Sequence, residues 1–220
     1  MSDNPWPELS RNTPYVLDGD REKVDIFNIS AAPMERIQTE LFPEPFVGNI
    51  NAPVVLLALN PGFSDDDKAY YLKSEAVCRA NLRHELEDCP FYPLNKQFKK
   101  HSGPQWWRAK LRWFIDRAGE ESVANNLYCV ECFPYHSKRF GAEKLSVPSQ
   151  QYSFYLVNQA IERGDLVVIM RGANAWLNAV PALKAYENRC KLQNVQRSWL
   201  SPGNFADGWF DKIIERLKVV

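Results

Sequence analysis

Four turns in this chain carry residue types suited to polar chemistry, and each follows an apolar run. Asn60-Pro61-Gly62-Phe63 follows the run 53–59, and Pro134-Tyr135-His136-Ser137 follows 127–133. Arg171-Gly172 follows 166–170, and Ser201-Pro202-Gly203-Asn204 follows a weaker run at 191–195. An asparagine amide holds a water by accepting one hydrogen bond and donating another. A histidine titrates near neutrality and can carry a proton, which makes His136 a second catalytic candidate. Glu131, inside the second run, can accept from a ring N–H or an exocyclic amine, although an ionised carboxylate lacks an amide's paired donor and acceptor. Phe63 and Phe91 offer faces on which a planar ring could stack. Ser201 and Asn204 are also ordinary helix-capping residues.

Several chemistries find no support. The chain has no phosphate-loop, dinucleotide, nucleophile-elbow or H-E-x-x-H pattern. Three histidines, at 84, 101 and 136, make a histidine-rich metal centre unexpected, and no cofactor is implied. Cys129 and Cys132 form a C-x-x-C, but within an apolar run rather than at a helix start, and a zinc ribbon needs a second pair. The five cysteines are therefore expected to be reduced, buried thiols.

The elements that must position these turns follow from the pattern. The runs 53–59, 127–133 and 166–170 read as strands buried on both faces. Helices are expected over 32–41, from Ser64 or Asp65 to about Glu75, and over 105–118. Others are expected over 149–163 with Gly164 as the stop, over 173–180 and over 206–218. Strands alternating with helices imply an α/β fold: a three-layer α/β/α arrangement around a mostly parallel four-stranded sheet. Residues 51–220 form one domain. Residues 1–50 read as an N-terminal extension packed on it through Leu41, Phe42 and Phe46. In open α/β sheets ligands bind beyond the carboxyl ends of the strands, so the four turns converge where a site is expected.

Composition narrows the partners. At 220 residues and 45% hydrophobic, the chain can bury a core without staples. Its 27 basic and 27 acidic side chains cancel, which excludes a binder held to nucleic acid by bulk charge. Local clusters at Lys96, Lys99, Lys100 and His101 and at Lys138-Arg139 are either solvated surface or a phosphate-contacting rim. Trp106 and Trp107 read as core. No apolar run approaches the roughly 20 residues of a membrane span, and the first ten residues do not resemble a secretory signal. A cytoplasmic monomer without a membrane partner is expected.

Leu59-Asn60-Pro61-Gly62-Phe63 after a buried strand resembles motif one of the uracil-DNA glycosylase superfamily, closest to the N-P-G of its mismatch-specific and single-strand-selective branches. The resemblance extends in order over about residues 50–218. The 127–133 strand is placed like the superfamily's central strand. Residues 166–175 are similar to its apolar strand, glycine and short helix, and 198–204 occupies the place of motif two. The resemblance implies a uracil-DNA glycosylase-like fold and hydrolysis of the N-glycosidic bond of a damaged or deaminated base. DNA, single- or double-stranded, would be the partner, and the role base excision in DNA repair, with no metal or cofactor.

By the same resemblance, Asn60 orients the attacking water, and Gly62 stands where the strict uracil enzymes place a tyrosine against the thymine methyl. Phe63 or Phe91 stacks the base, Glu131 falls near the base-reading asparagine, and the 201–204 turn grips phosphate through backbone N–H groups. Trp199 stands where motif two has histidine, with His136 as the candidate substitute. Two other classes fit the same pattern. One is a catalytically weak module binding nucleic acid or a nucleotide. The other is a hydrolase of small N-glycosides, which needs a closed pocket rather than an open basic rim.

Overall fold

The computed structural model describes residues 3–64, 67–143 and 145–218, so Asp65 and Asp66, the expected start of the second helix, lie outside the described residues. The strands are β1 (Phe46–Gly48), β2 (Val54–Ala58), β3 (Leu127–Glu131), β4 (Leu166–Ile169) and β5 (Arg189–Lys191). Their order in the sheet is β1-β3-β2-β4-β5. The three apolar runs are its parallel centre: Val54 of β2 pairs with Leu127 on one side and Leu166 on the other. Such strands bury both faces, which is why they read as continuous apolar runs rather than alternating ones.

Among the described residues the sheet has five strands, not four, and the weak strand expected over 191–195 lies earlier, as β5. The addition, β1, runs antiparallel to β3 and comes from the segment expected to be a peripheral extension. Gly48 ends it with φ +112°, and a Cβ there would lie 2.2 Å from the Leu127 carbonyl oxygen. Only glycine permits this approach.

The helices are α1 (Asp18–Ser30), α2 (Asp67–Leu82), α3 (Ser102–Ala118), α4 (Glu120–Asn126), α5 (Gln150–Arg163), α6 (Ala173–Ala179) and α7 (Trp209–Leu217). The connection from β2 to β3 moves one way along the sheet. Those from β3 to β4 and from β4 to β5 move the other way. Right-handed crossovers then place the two sets of helices on opposite faces. The contacts agree: α3, α4 and α7 pack on one another, while α5 packs on β3 and β4 and meets α6 through Phe154 and Trp176. Among the described residues no helix is long and apolar enough to cross a membrane.

The N-terminal segment departs most from expectation. Residues 32–41 are turns, and the helix lies earlier, as α1. Only Asp20 and Val24 of α1 are buried, so it has no apolar stripe. In the turn segment after α1, the Asn28 side chain stands in for a helical ladder, donating to the Ile37 carbonyl and accepting from its N–H at 3.0 and 2.8 Å. Asp20 ties α1 to the body, accepting from Tyr135 Oη at 2.6 Å and from the Ser149 N–H at 3.1 Å. The five cysteines are free thiols. All are buried except Cys89, which is half-buried, and burial pushes the Cys132 thiol up to about 12.

His84 locks the end of α2. Its ring stacks on Phe46 at 4.3 Å and Nε2 lies 3.0 Å from Tyr152 Oη, while Nδ1 is buried without a partner. Burial lowers its pKa from 6.5 to about 4. The unfolded chain therefore takes up a proton between these values that the folded chain refuses. The contribution of His84 is intact above pH 6.5 and is lost as pH falls toward 4, by about 3 kcal/mol at most. Its φ of +59° suits asparagine. In His84→Asn the fall in melting temperature between pH 7 and pH 4.5 should shrink. An equal fall in both proteins would show that this histidine is not the group responsible.

Candidate functional site

Where the crossovers diverge, between the carboxyl ends of β2, β3 and β4, a cavity of about 570 Å³ opens to the surface. This is the position at which open α/β sheets bind ligands. Asn60 and Phe63 enter from the β2 turn, Glu131 from the end of β3, Arg171 from the end of β4, Trp106 from α3 and Ser198 from the loop after β5.

Asn60 has a fixed orientation. Its Nδ2 lies 3.0 Å from the Pro61 carbonyl and 3.0 Å from Ser137 Oγ. A backbone carbonyl only accepts, so the atom facing Pro61 must be the NH₂. Both of its hydrogens are committed, and Oδ1 is the acceptor left for a ligand. Phe63 is half-buried beside it, with Lys138 Nζ 5.4 Å from the ring centroid. Gly62 is exposed, and a Cβ there would meet nothing within 4 Å. Pro61 is buried and lines the same wall.

Glu131 is 8% exposed, and its Oε2 is buried without a hydrogen-bond partner. It pairs with Ala58 in the sheet register, two residues before Asn60. Cys129 also lines the cavity, as the period of two along β3 requires. Burial raises the Glu131 pKa well above 4.5. Glu44, which lines the same cavity, raises it further, and Arg171 opposes both. These influences together favour the neutral acid over the carboxylate expected from the sequence. A neutral carboxyl presents one O–H donor and one carbonyl acceptor, the paired pattern of an amide.

Other expected residues lie elsewhere. His136 is 1% exposed and does not line the cavity; its Nδ1–H donates to the Gly62 carbonyl at 2.6 Å, so it braces the β2 turn. The leaving-group role expected of it has no path from this cavity. Phe91 is fully buried, packed edge-on against Trp107 at 4.9 Å and close beneath Gly48, so it cannot stack a ligand. Ser201, Pro202, Gly203 and Asn204 do not line the cavity either. Asn204 instead ties the preceding loop together, with Oδ1 accepting from the Asn194 N–H and Nδ2 donating to the Asn194 and Trp199 carbonyls. The 201–204 turn therefore supports the cavity mouth without forming it.

Four lining residues were not expected to act. Ser137 orients Asn60, and its place beside His136 was the available signal. Arg171 donates from Nε to Ser198 Oγ at 2.9 Å and from its guanidinium to the Gln196 carbonyl at 2.9 Å, which anchors the loop after β5. Trp106 is exposed rather than core, unlike Trp107. Glu44 accepts a bond from Tyr92 Oη, and nothing in its sequence context marks it.

No family model, curated protein or solved structure matches this chain.

The neutral state of Glu131 has a measurable sign. Above pH 4.5 the unfolded chain releases a proton that the folded chain keeps. The contribution of this group is fully present below pH 4.5 and is lost as pH rises, opposite to that of His84. Glutamine keeps the shape and has no proton to lose. The melting temperature of Glu131→Gln relative to the parent should therefore climb as pH goes from 4.5 to 7. A difference constant across that range would mean that Glu131 ionises in the folded protein as it does in the unfolded one.

Proposed function

We propose that this protein is a divergent glycosylase of the uracil-DNA glycosylase type, hydrolysing the N-glycosidic bond of a damaged or deaminated base in DNA. The observation that carries the reading is the orientation of Asn60, whose Oδ1 is the only part of the amide left to a ligand in the cavity. A water donating one hydrogen to Oδ1 keeps its lone pairs for the sugar C1′. Its oxygen bonds to C1′ as the bond from C1′ to the base nitrogen breaks. The electron pair leaves with the base, and the proton shed by the water ends on the base.

The departing base must be relieved of negative charge. The resembled family uses a motif-two histidine for this, and Trp199 stands in its place. A protonated Glu131 carboxyl supplies a donor from the end of β3. Its O–H meets a base carbonyl and its C=O accepts from the adjacent ring N–H, an edge that uracil, hypoxanthine and xanthine all present. A donor aimed at developing charge in a dry cavity is worth ~3 kcal/mol. Phe63 is the stacking face. The cavity opens to the surface and has Lys138, Arg139 and Arg171 in its lining, which favours a base carried on a strand over a free nucleoside.

The test uses end-labelled oligonucleotides carrying uracil, hypoxanthine, xanthine or a mismatched thymine, followed by alkaline cleavage at abasic sites. The parent should cut at least one of them. Asn60→Ala should lose about a hundredfold or more of that rate, and Glu131→Gln should keep more of it than Glu131→Ala. No cleavage of any substrate by the parent would overturn the reading in favour of a binding module of the same fold.

Base range has its own test. The space beside Gly62 accepts a side chain, so Gly62→Tyr should fold normally and narrow the range. Release of thymine from a mismatch should fall at least tenfold relative to release of uracil. An unchanged ratio would mean that this position does not face the base.

A further inference from the structure

One side of the cavity mouth continues as a ridge of indoles and cations. Trp106, Lys110 and Trp113 fall at i, i+4 and i+7 of α3, a single stripe on the helix. Lys110 Nζ lies 5.0 Å from the Trp106 ring centroid and 4.6 Å from that of Trp199, so one ammonium bridges α3 to the loop after β5. Arg112 lies 3.3 Å over Trp113 and 5.9 Å from Trp199. The Lys110 ammonium also donates to the Arg197 carbonyl. Trp106 and Trp199 are 47% and 38% exposed, among the few large apolar side chains left to solvent.

The charge on this ridge has one sign. Among the described residues Lys110, Arg112, Arg171 and Arg197 make no ion pair, whereas Arg108 and Arg117 on the same helix are paired with Glu120 and Asp211. The ridge also adjoins the cavity: Trp106 lines it, and Ser198, the chain neighbour of Trp199, lines it from the loop after β5. The loop is held in place from behind by Arg171 and Asn204, and Ser198 keeps φ +48° while its Oγ donates to the Val195 carbonyl at 2.7 Å. The two indoles are therefore presented at a set spacing.

We infer that the Trp106–Lys110–Trp199–Arg112 ridge is a docking surface for single-stranded DNA flanking the nucleotide whose base enters the cavity. Indole faces stack on bases of any sequence once those bases are unstacked. Lys110 is buried and holds the two indoles in place, while the exposed Arg112 and Arg197 are the cations that meet the phosphates. A duplex keeps its bases stacked and offers the indoles nothing. A protein partner would have to bring an acidic surface and would gain nothing from a cavity beside it. The inference deepens the glycosylase reading, since it takes the cavity to be the place where a base enters.

The probe is a fluorescein-labelled oligo-dT without any damaged base, read by fluorescence anisotropy alone and annealed to oligo-dA, so that binding is measured apart from cleavage. Single strand should bind at least tenfold tighter than duplex, with affinity falling as salt rises. Trp199→Ala and Trp106→Ala should each weaken single-strand binding about tenfold, Trp199→Phe should retain most of it, and Arg112→Ala should flatten the salt dependence. Melting temperatures confirm that each variant is folded. Equal affinity for both probes, or full single-strand binding by folded Trp199→Ala and Trp106→Ala, would overturn the ridge while leaving any base release by the parent intact. Binding as expected, with no base released from any substrate, would keep the ridge and remove the glycosylase.

Discussion

The carbonyl oxygens at the end of β2 sit between two other strands and need donors from them, and those of the turn that follows draw on the same neighbours. The Leu57 carbonyl accepts from the Met170 and Arg171 N–H groups, and the Ala58 carbonyl from the Cys132 N–H and the Trp176 indole. The Leu59 carbonyl accepts from the Phe133 N–H, and that of Pro61 from Ser137 and the Asn60 amide. The Gly62 carbonyl accepts from His136. Satisfying one short segment thus draws in the ends of β3, β4 and α6. The cavity is the space left where those ends diverge, and the set of Asn60 is a by-product of the same accounting.

The same constraint explains why several polar residues near the cavity are structural. His136 and Asn204 sit in turns that look chemically equipped, yet His136 Nδ1 bonds the Gly62 carbonyl and the Asn204 amide bonds the backbone of its own loop. Glu131 is the contrary case. It lies in a strand, where sequence suggests a core position, and its carboxyl is left without a partner. Burial disfavours the charged carboxylate, and a second acid, Glu44, disfavours it further, so the pKa of Glu131 is raised. The result is a donor and an acceptor side by side on a residue whose usual form has no donor.

The apolar runs at 54–58, 127–131 and 166–169 were legible because strands buried on both faces are near-continuously apolar, with Glu131 the one charged residue among them. The loops at their carboxyl ends, and with them Asn60, Phe63 and Glu131, were legible by position alone. Helix α1 was not, because it buries two residues and holds to the body through Asp20 rather than through a stripe. Strand β1 is three residues long, too short for a period. Phe91 and Phe63 look alike in sequence, and only the close packing against Gly48 and Trp107 separates the buried ring from the one at the cavity. The raised pKa of Glu131 comes first from burial and then from Glu44, which lines the same cavity from the N-terminal segment, and no local pattern reports such a pair.

The cavity wall is assembled from Glu44 at one extreme of the chain order to Ser198 at the other. During synthesis, with chain emerging N-terminal end first, β2 and its turn appear early but stay without the donors from β4 and the brace of Arg171 on the last loop. A nascent chain therefore carries Asn60 and Phe63 long before it has a cavity. Whatever chemistry the finished protein performs needs the loop after β5, which leaves the ribosome long after the turn that carries Asn60.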